Sequence, residues 1–355
     1  MIDVLTSGVA LGVHVPGLLL AQRARELGAD AEVVVLERLL PDSKRATTAK
    51  MKFAFHRDFR MALAGQRLAV DPSTAVPESA LRELAQRWQE RRPQRVVVLS
   101  GFWLPIVTQC AELSGHTPDV DVCHVDSVPS PSFRAAGPLP PQVRQVWLSD
   151  WEHSTVPHTI PVSARPPMRW SDRDRRLLLH GGGWGMGTYR QQSDELRENR
   201  FELDIVAYEA DDVSTQDAGI RYFMIDPSWH PWLDDGYPPF ARVDGRTDPD
   251  YVQGTECHGS FELARSAFAM VSKPGGGTML DSIWSATPLV LLEPFGEHEA
   301  QNAELWERLG FGISVDRWRD TDFSVEVLEE LHDNLLRARP GIPDYARELA
   351  EEIRE

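Results

Sequence analysis

Two glycine-rich stretches hold the residues best suited to grip an anion. "LLLHGGGWGMGTYR" sets Gly181, Gly182, Gly183, Gly185 and Gly187 behind an apolar run, and "AMVSKPGGGTML" sets Gly275, Gly276 and Gly277 behind another, with Thr278 next. Glycine lets a backbone approach a phosphate closely, and a loop that opens a helix presents unpaired N–H groups to negative charge. The two together point to a nucleotide diphosphate, with Thr278 adding a hydroxyl at the helix start. Neither stretch has the Gly-Lys-Ser/Thr ending of an ATPase phosphate loop, and the "GGGWGMG" spacing differs from the dinucleotide form, which weighs against ATP and NAD.

Further along the chain the chemistry thins out. In "CHVDSVPSPS", His124 and Asp126 follow an apolar run and are candidates for an acid/base pair beside a cleft. Asp119 and Asp121 form a D-x-D triplet of the kind that arises by chance in so acidic a chain. The most basic segment, "DSKRATTAKMKFAFHRDFR", offers Lys44, Arg45, Lys50 and Lys52 to an anionic substrate and otherwise reads as a solvated loop. Trp184, Trp229 and Trp232 are suited to stack on a ring or to pack.

These residues need a frame. "IDVLTS", a helix-spaced "PGLLLAQRAREL" with Pro16 suited to a first turn, and "AEVVVLE" read as a β-α-β unit. "QRVVVLS", "VDVCHV" and "QVWLSD" continue it as strands of a parallel sheet covered on both faces. "PHTIPVSARPPMRWSDRDR" has no periodicity and reads as a linker. The alternation then restarts with "RRLLLH", "ELDIVAYE", "IRYFMID", "FAMVS" and "PLVLLE", with helices opening near Tyr189, Ser260, Thr278 and Ala300. The expectation is an α/β chain of two Rossmann-like doubly wound domains facing a cleft: residues 1–160, a linker over 161–175, residues 176–340, and a C-terminal helix over 341–355. In such sheets ligands bind outside the carboxyl ends of the strands, where both glycine stretches fall.

The totals agree with an enzyme of two lobes. The chain has 355 residues, 42% hydrophobic and 26% charged, and its net charge of −17 argues against nucleic acid as a partner. Cys110, Cys123 and Cys257 lack metal-like spacing and read as reduced thiols in a cytoplasmic protein. No apolar run approaches 18 residues, so stable membrane insertion is not expected. Nothing in the sequence signals an oligomeric state.

The stretch "SKPGGGTMLDSIWSATPLVLLEPFGEHEAQNAELWERLGFG" resembles the donor-binding motif of GT-B glycosyltransferases, nearest to the bacterial peptidoglycan N-acetylglucosaminyltransferase and the UDP-glycosyltransferases. The resemblance covers about forty residues. It implies that Gly275, Gly276, Gly277 and Thr278, joined by Gly182 and Gly183, face the donor diphosphate, and that Asp281, where the family usually has Glu, binds the ribose. It also implies that His298, Glu299, Gln301 and Asn302 face the donor sugar, with Glu299 in place of the usual Gln. "GVALGVHVPGLLLA" is similar to the family's loop after the first strand, one residue shorter, and puts His14 near the place of the catalytic histidine. "SGFWLPIVTQCAELSG" is similar to the acceptor-side loop, which makes Gly101 and Phe102 cleft residues alongside His124 and Asp126.

The reaction these resemblances imply is inverting transfer of a sugar from a UDP-sugar to a small soluble acceptor. No metal or other cofactor is expected, because helix N-termini and loop N–H groups carry the leaving diphosphate. A general similarity to antibiotic-pathway enzymes adds a nucleobase such as cytosine, glycosylated from UDP-glucuronate, as one acceptor and donor pair. A UDP-sugar hydrolase or 2-epimerase, and a non-catalytic nucleotide-sugar-binding subunit, are the other readings.

Overall fold

The computed structural model of the chain describes residues 1–9, 11–66, 71–214, 219–245 and 247–354. The first sheet holds β1 (Ile2–Thr6), β2 (Ala31–Val35), β3 (Arg95–Val98), β4 (Asp119–His124) and β5 (Arg144–Trp147) in the order β2-β1-β3-β4-β5, every pair parallel. Helices α1 (Leu11–Glu26), α2 (Asp42–Arg57), α3 (Phe59–Gln66), α4 (Glu78–Arg91), α5 (Leu104–Ser114) and α6 (Pro131–Ala136) connect these strands. β1 is buried along its whole length, as a central parallel strand covered on both faces must be.

The second sheet runs β12-β11-β10-β6-β7-β8-β9. Its strands are β6 (Arg176–His180), β7 (Glu202–Ala207), β8 (Ile220–Ile225), β9 (Phe240–Val243), β10 (Ala269–Ser272), β11 (Leu289–Leu291) and β12 (Gly312–Ser314). Only the β8–β9 pair is antiparallel. Around it lie α7 (Ser193–Glu198), α8 (Ser260–Ser266), α9 (Gly276–Ser285), α10 (Glu297–Leu309), α11 (Val315–Arg319) and α12 (Val325–Ala338). The chain builds outward from β6 through β7, β8 and β9, then returns to β10 on the other side of β6. The order therefore reverses between β6 and β10, and the crevice that such a reversal opens lies at their carboxyl ends. The loops leaving these two strands are the two glycine-rich stretches.

Several local expectations are corrected. α1 begins at Leu11, so Pro16 sits inside the helix rather than in its first turn; lacking an N–H, it leaves the Gly12 carbonyl without its helical donor. The basic segment is not a loop but helix α2, which buries little beyond Lys52 and His56. β9 and β12 are absent from the sequence reading because four and three residues are too short to show a period. The proline-rich linker is pinned at both ends: Ile160 and Val162 enter the first lobe's core, and the buried Arg173 guanidinium donates to the carbonyls of Ala267, Ser285 and Ala286. The last helix, α13 (Tyr345–Glu352), packs on the first lobe, where Tyr345 Oη donates to Asp121 Oδ2 at 2.8 Å. Among the described residues no helix is long and apolar enough to cross a membrane.

Candidate functional site

A cavity opens at the carboxyl ends of β6 and β10. His180, Gly182, Gly183, His258, Ser260, Gly277, Thr278 and Asp281 give it polar groups, and Leu11, Gly12, Val15, Pro16 and Leu19 of α1 close it from the other lobe. In the first turn of α9 the N–H groups of Gly277 and Thr278 have no place in the helical ladder, so they are free for an anion. Gly182 adopts φ 66°, which turns its loop back toward β10. Between the two glycine loops lies Lys273: a Cβ added at Gly275 or Gly182 would sit 3.4 or 3.9 Å from its Nζ. Lys273 is ion-paired with Glu299, whose other oxygen accepts from the Phe295 N–H at 2.7 Å. A cation and two unpaired amides at one helix start form a receptor for a diphosphate.

The same glycines also let the lobes meet. A Cβ at Gly276 would lie 2.6 Å from the Val125 carbonyl oxygen, and one at Gly183 would lie 2.5 Å from Leu11 Cβ. The Gly276 N–H donates to Asp126 Oδ1 at 3.1 Å, and Asn302 Nδ2 donates to the same oxygen and to the Pro274 carbonyl, each at 2.9 Å. Asn302 Oδ1 accepts from the Ser127 N–H and hydroxyl. With Asn302 fully buried, this network ties the two lobes together beside the cavity.

On the first lobe's side the polar groups are enclosed. His14 lies in α1, fully buried, with Nδ1 3.0 Å from Thr6 Oγ1 and with no hydrogen-bond partner for Nε2 among the described residues. Burial, then the positive charges of Lys52 and Arg38, push its pKa down to about 3. Its imidazole is therefore neutral, and enclosure is the main cause. Lys52 reaches from α2 to donate to the Gly8 carbonyl at 2.9 Å, with Trp184 and Trp232 beneath it. Burial lowers its pKa to about 8, against the pull of Glu37. Glu37 accepts from Ser7 Oγ and the N–H groups of Gly8 and Val9, which shapes the loop after β1.

No family model matches the chain. A processive diacylglycerol beta-glucosyltransferase of Bacillus subtilis is 34% identical over 83 residues, 23% of this chain and 22% of that protein. The UDP-N-acetylglucosamine–N-acetylmuramyl-(pentapeptide) pyrophosphoryl-undecaprenol N-acetylglucosamine transferase of Trichormus variabilis is 26% identical over 128 residues, 32% of this chain and 35% of that one. The matches thus span about a fifth to a third of these relatives. The crystal structure of the Streptomyces sp. SF2575 glycosyltransferase SsfS6, complexed with thymidine diphosphate, superposes over 100% of this chain and 99% of its own, with a TM-score of 0.57 and 16% identity. The chain has the GT-B fold.

Within that GT-B frame the expected site residues part company. Gly182, Gly183, Gly277, Thr278 and Asp281 converge on the cavity, with Gly275 beside Lys273. Gly276 faces the other lobe, its N–H already taken by Asp126. Glu299 and Asn302 serve the Lys273 ion pair and the lobe contact, and His298, buried with Nδ1 unpartnered, lies on α10 with Gln301, away from the cavity lining. His124 and Asp126 do not form a pair: His124 stacks on Trp147 at 3.7 Å and bonds Gln145, and burial lowers its pKa to about 4. Gly101 is pressed against the Ser132 carbonyl, and Phe102 packs on the first lobe's core. Asp121 of the D-x-D triplet is buried between Arg95 and Arg144. His56, Glu209 and Asp212 are the described trio close enough to hold a metal ion, and Arg57 and Arg190 already balance its carboxylates.

Lys273, His180, His258 and Ser260 are the site residues that sequence reasoning passed over. Lys273 and His180 had a usable signal, since each stands at a strand's carboxyl end against a glycine run. His258 and Ser260 had none, because their role depends on how α8 packs beside α9.

Proposed function

We propose that the chain is an inverting glycosyltransferase that moves a sugar from a UDP-sugar to a small soluble acceptor. The observation that carries this reading is the convergence of both glycine loops and the α9 N-terminus on one cavity at the sheet's reversal point, faced by α1 of the other lobe, with Lys273 beside the two loops. The curated relatives, whose names give a UDP-linked and a glucosyl donor, and the structural neighbour complexed with thymidine diphosphate support the nucleotide-sugar part of this reading.

In this reading the acceptor's oxygen or nitrogen attacks the anomeric carbon as the bond to the diphosphate oxygen breaks. The configuration inverts, the acceptor's proton passes to His14 Nε2, and the leaving charge falls on the Gly277 and Thr278 amides and on Lys273. His14 takes this part in the tautomer whose Nδ1–H donates to Thr6 Oγ1, leaving the Nε2 lone pair free. A lone pair buried at a pKa near 3 is a weak base, so acceptor entry must open this side of the cleft before transfer. No metal takes part, and the transfer proceeds in EDTA. Cytosine with UDP-glucuronate belongs among the pairs to screen.

The test is calorimetric titration with UDP, followed by UDP release from UDP-sugars with and without an acceptor panel, in EDTA. Release that depends on an acceptor is the expected result. Release without one would reassign the chain to hydrolysis, an altered sugar on intact UDP to epimerisation, and absence of UDP binding would overturn the donor site itself.

A further inference from the structure

Asp281, the proposed ribose ligand, does not stand alone. Its Oδ1 lies 3.0 Å from His258 Nε2, and His258 Nδ1 lies 2.9 Å from Ser260 Oγ. His258 precedes α8, Ser260 opens it, Asp281 lies in the second turn of α9, and all three border the cavity. The chemistry of the donors settles the direction of each bond. An ionised carboxylate only accepts, so His258 Nε2 carries a proton, and in the neutral imidazole Nδ1 then accepts from the Ser260 hydroxyl. The imidazole is thereby fixed in one tautomer, with both nitrogens engaged. Asp281 Oδ1 is held, and no described residue bonds Oδ2.

A held carboxylate reads a diol better than a free one, because the cost of ordering it is met before the ligand arrives. Aspartate is one methylene shorter than glutamate, so its placement depends more on such support. The two hydroxyls of a ribose offer two donors to the open oxygen of Asp281. A 2′-deoxyribose offers one, and leaves a partly buried carboxylate short of a partner.

We propose that His258 is a positioning residue that holds Asp281 for the ribose diol, so that this site selects ribonucleoside over 2′-deoxyribonucleoside diphosphates. The inference rests on the donor-site reading above. It adds the sugar moiety of the nucleotide as a specificity determinant, and names His258 and Ser260 as the residues behind it.

The experiment is calorimetric titration of the full chain and of His258→Leu, His258→Gln and Ser260→Ala with UDP, 2′-deoxy-UDP and inorganic pyrophosphate. The parent should favour UDP over 2′-deoxy-UDP by about 10- to 100-fold, the range of one hydrogen bond to a charged group. His258→Leu should bring that ratio to within about threefold while pyrophosphate affinity stays unchanged, and His258→Gln, whose amide N–H can replace Nε2–H, should restore most of it. Ser260→Ala, which leaves the imidazole in place, should fall between and keeps the inference testable if His258→Leu does not fold. An unchanged ratio in His258→Leu, or equal binding of both nucleotides by the parent, overturns the role of His258 and leaves the donor site standing. Failure of the parent to bind UDP removes the donor reading itself.

Discussion

The two faces of the cleft are finished to different degrees. On the second lobe, unpaired amides and the open oxygen of Asp281 border a cavity, with Lys273 beside the glycine loops. On the first lobe, His14 has no exposed surface, Lys52 is covered by Trp184 and Trp232, and the loop after β1 is wrapped around Glu37. One face is preformed and the other is packed shut. The difference follows from the glycines, which both leave room for a diphosphate and bring α1 and the 125–127 segment against the donor loops. The donor groups stand in place, whereas an acceptor must part a sealed surface, which places a conformational step on the acceptor side.

The largest effect should come from the sealed face. His14→Ala removes the proposed base without touching the cavity lining, so turnover should fall by about 10²–10⁴-fold. UDP affinity, measured by calorimetry, should stay within about threefold, because a binding change of that size is under 1 kcal/mol. Single-turnover rates with saturating acceptor separate the two quantities. A variant that turns over within a few-fold of the parent would make His14 a packing residue and turn attention to Asp126, the acid at the lobe contact.

A second contrast sets neighbouring glycines against each other. Gly277→Val puts a branched side chain at the cavity wall, its Cβ 3.3 Å from Gly12 Cα of α1, and UDP affinity should drop by about 10- to 100-fold, the worth of one or two charge-assisted bonds. Gly276→Val instead drives Cβ into the Val125 carbonyl, and should lower thermal stability by about 1–3 kcal/mol, the usual cost of overpacking. Equal loss of UDP affinity with no loss of stability in both variants would show that the lobes are apart in solution and that Gly276 faces ligand.

How much of this was legible in the residues differs between the faces for a physical reason. The donor loops announce themselves locally, since two glycine runs, each after a β-strand, together point to a bound diphosphate without reference to distant residues. Strand runs such as "RVVV" and "RLLLH" were equally plain, being apolar at nearly every position as buried parallel strands require. Short elements such as β12 were not. The acceptor face depends on contacts between residues far apart in the chain. Asn302 reads locally as a polar residue on an amphipathic helix, yet its amide bonds residues 175 and 176 positions away. Lys52 belongs to a segment so basic that solvation is the natural expectation, and only the crossing of α2 over Trp184 buries it. The D-x-D triplet, read in the sequence as a chance feature of an acidic chain, is spent on structure: two arginines and Tyr345 consume the oxygens of Asp121.

The smallest effect tests whether the first lobe's face is sealed in solution. In the structure the native pKa of His14 is about 3, and that of His124, in the interior of the same lobe, about 4, against an ordinary value near 6.5 for the unfolded chain. Between pH 6.5 and those native values the unfolded chain binds protons that the folded chain excludes, so stability rises with pH across this window. It is complete above pH 6.5 and lost as pH falls toward 4 and then 3, with a slope of at most about 1.4 kcal/mol per pH unit for each histidine. His124→Gln should flatten the slope whatever the cleft does, because stacking on Trp147 and a tilted contact with Phe133 keep that ring dry. His14→Gln should flatten it by a similar amount only if the face is closed, as drawn here. Denaturant melts of the parent and both variants at pH 7, 6, 5 and 4 measure this directly. If His14→Gln keeps the parent's slope, His14 is hydrated in the free chain with a pKa near 6.5, already suited to take a proton at neutral pH, and the acceptor side opens without waiting for its substrate.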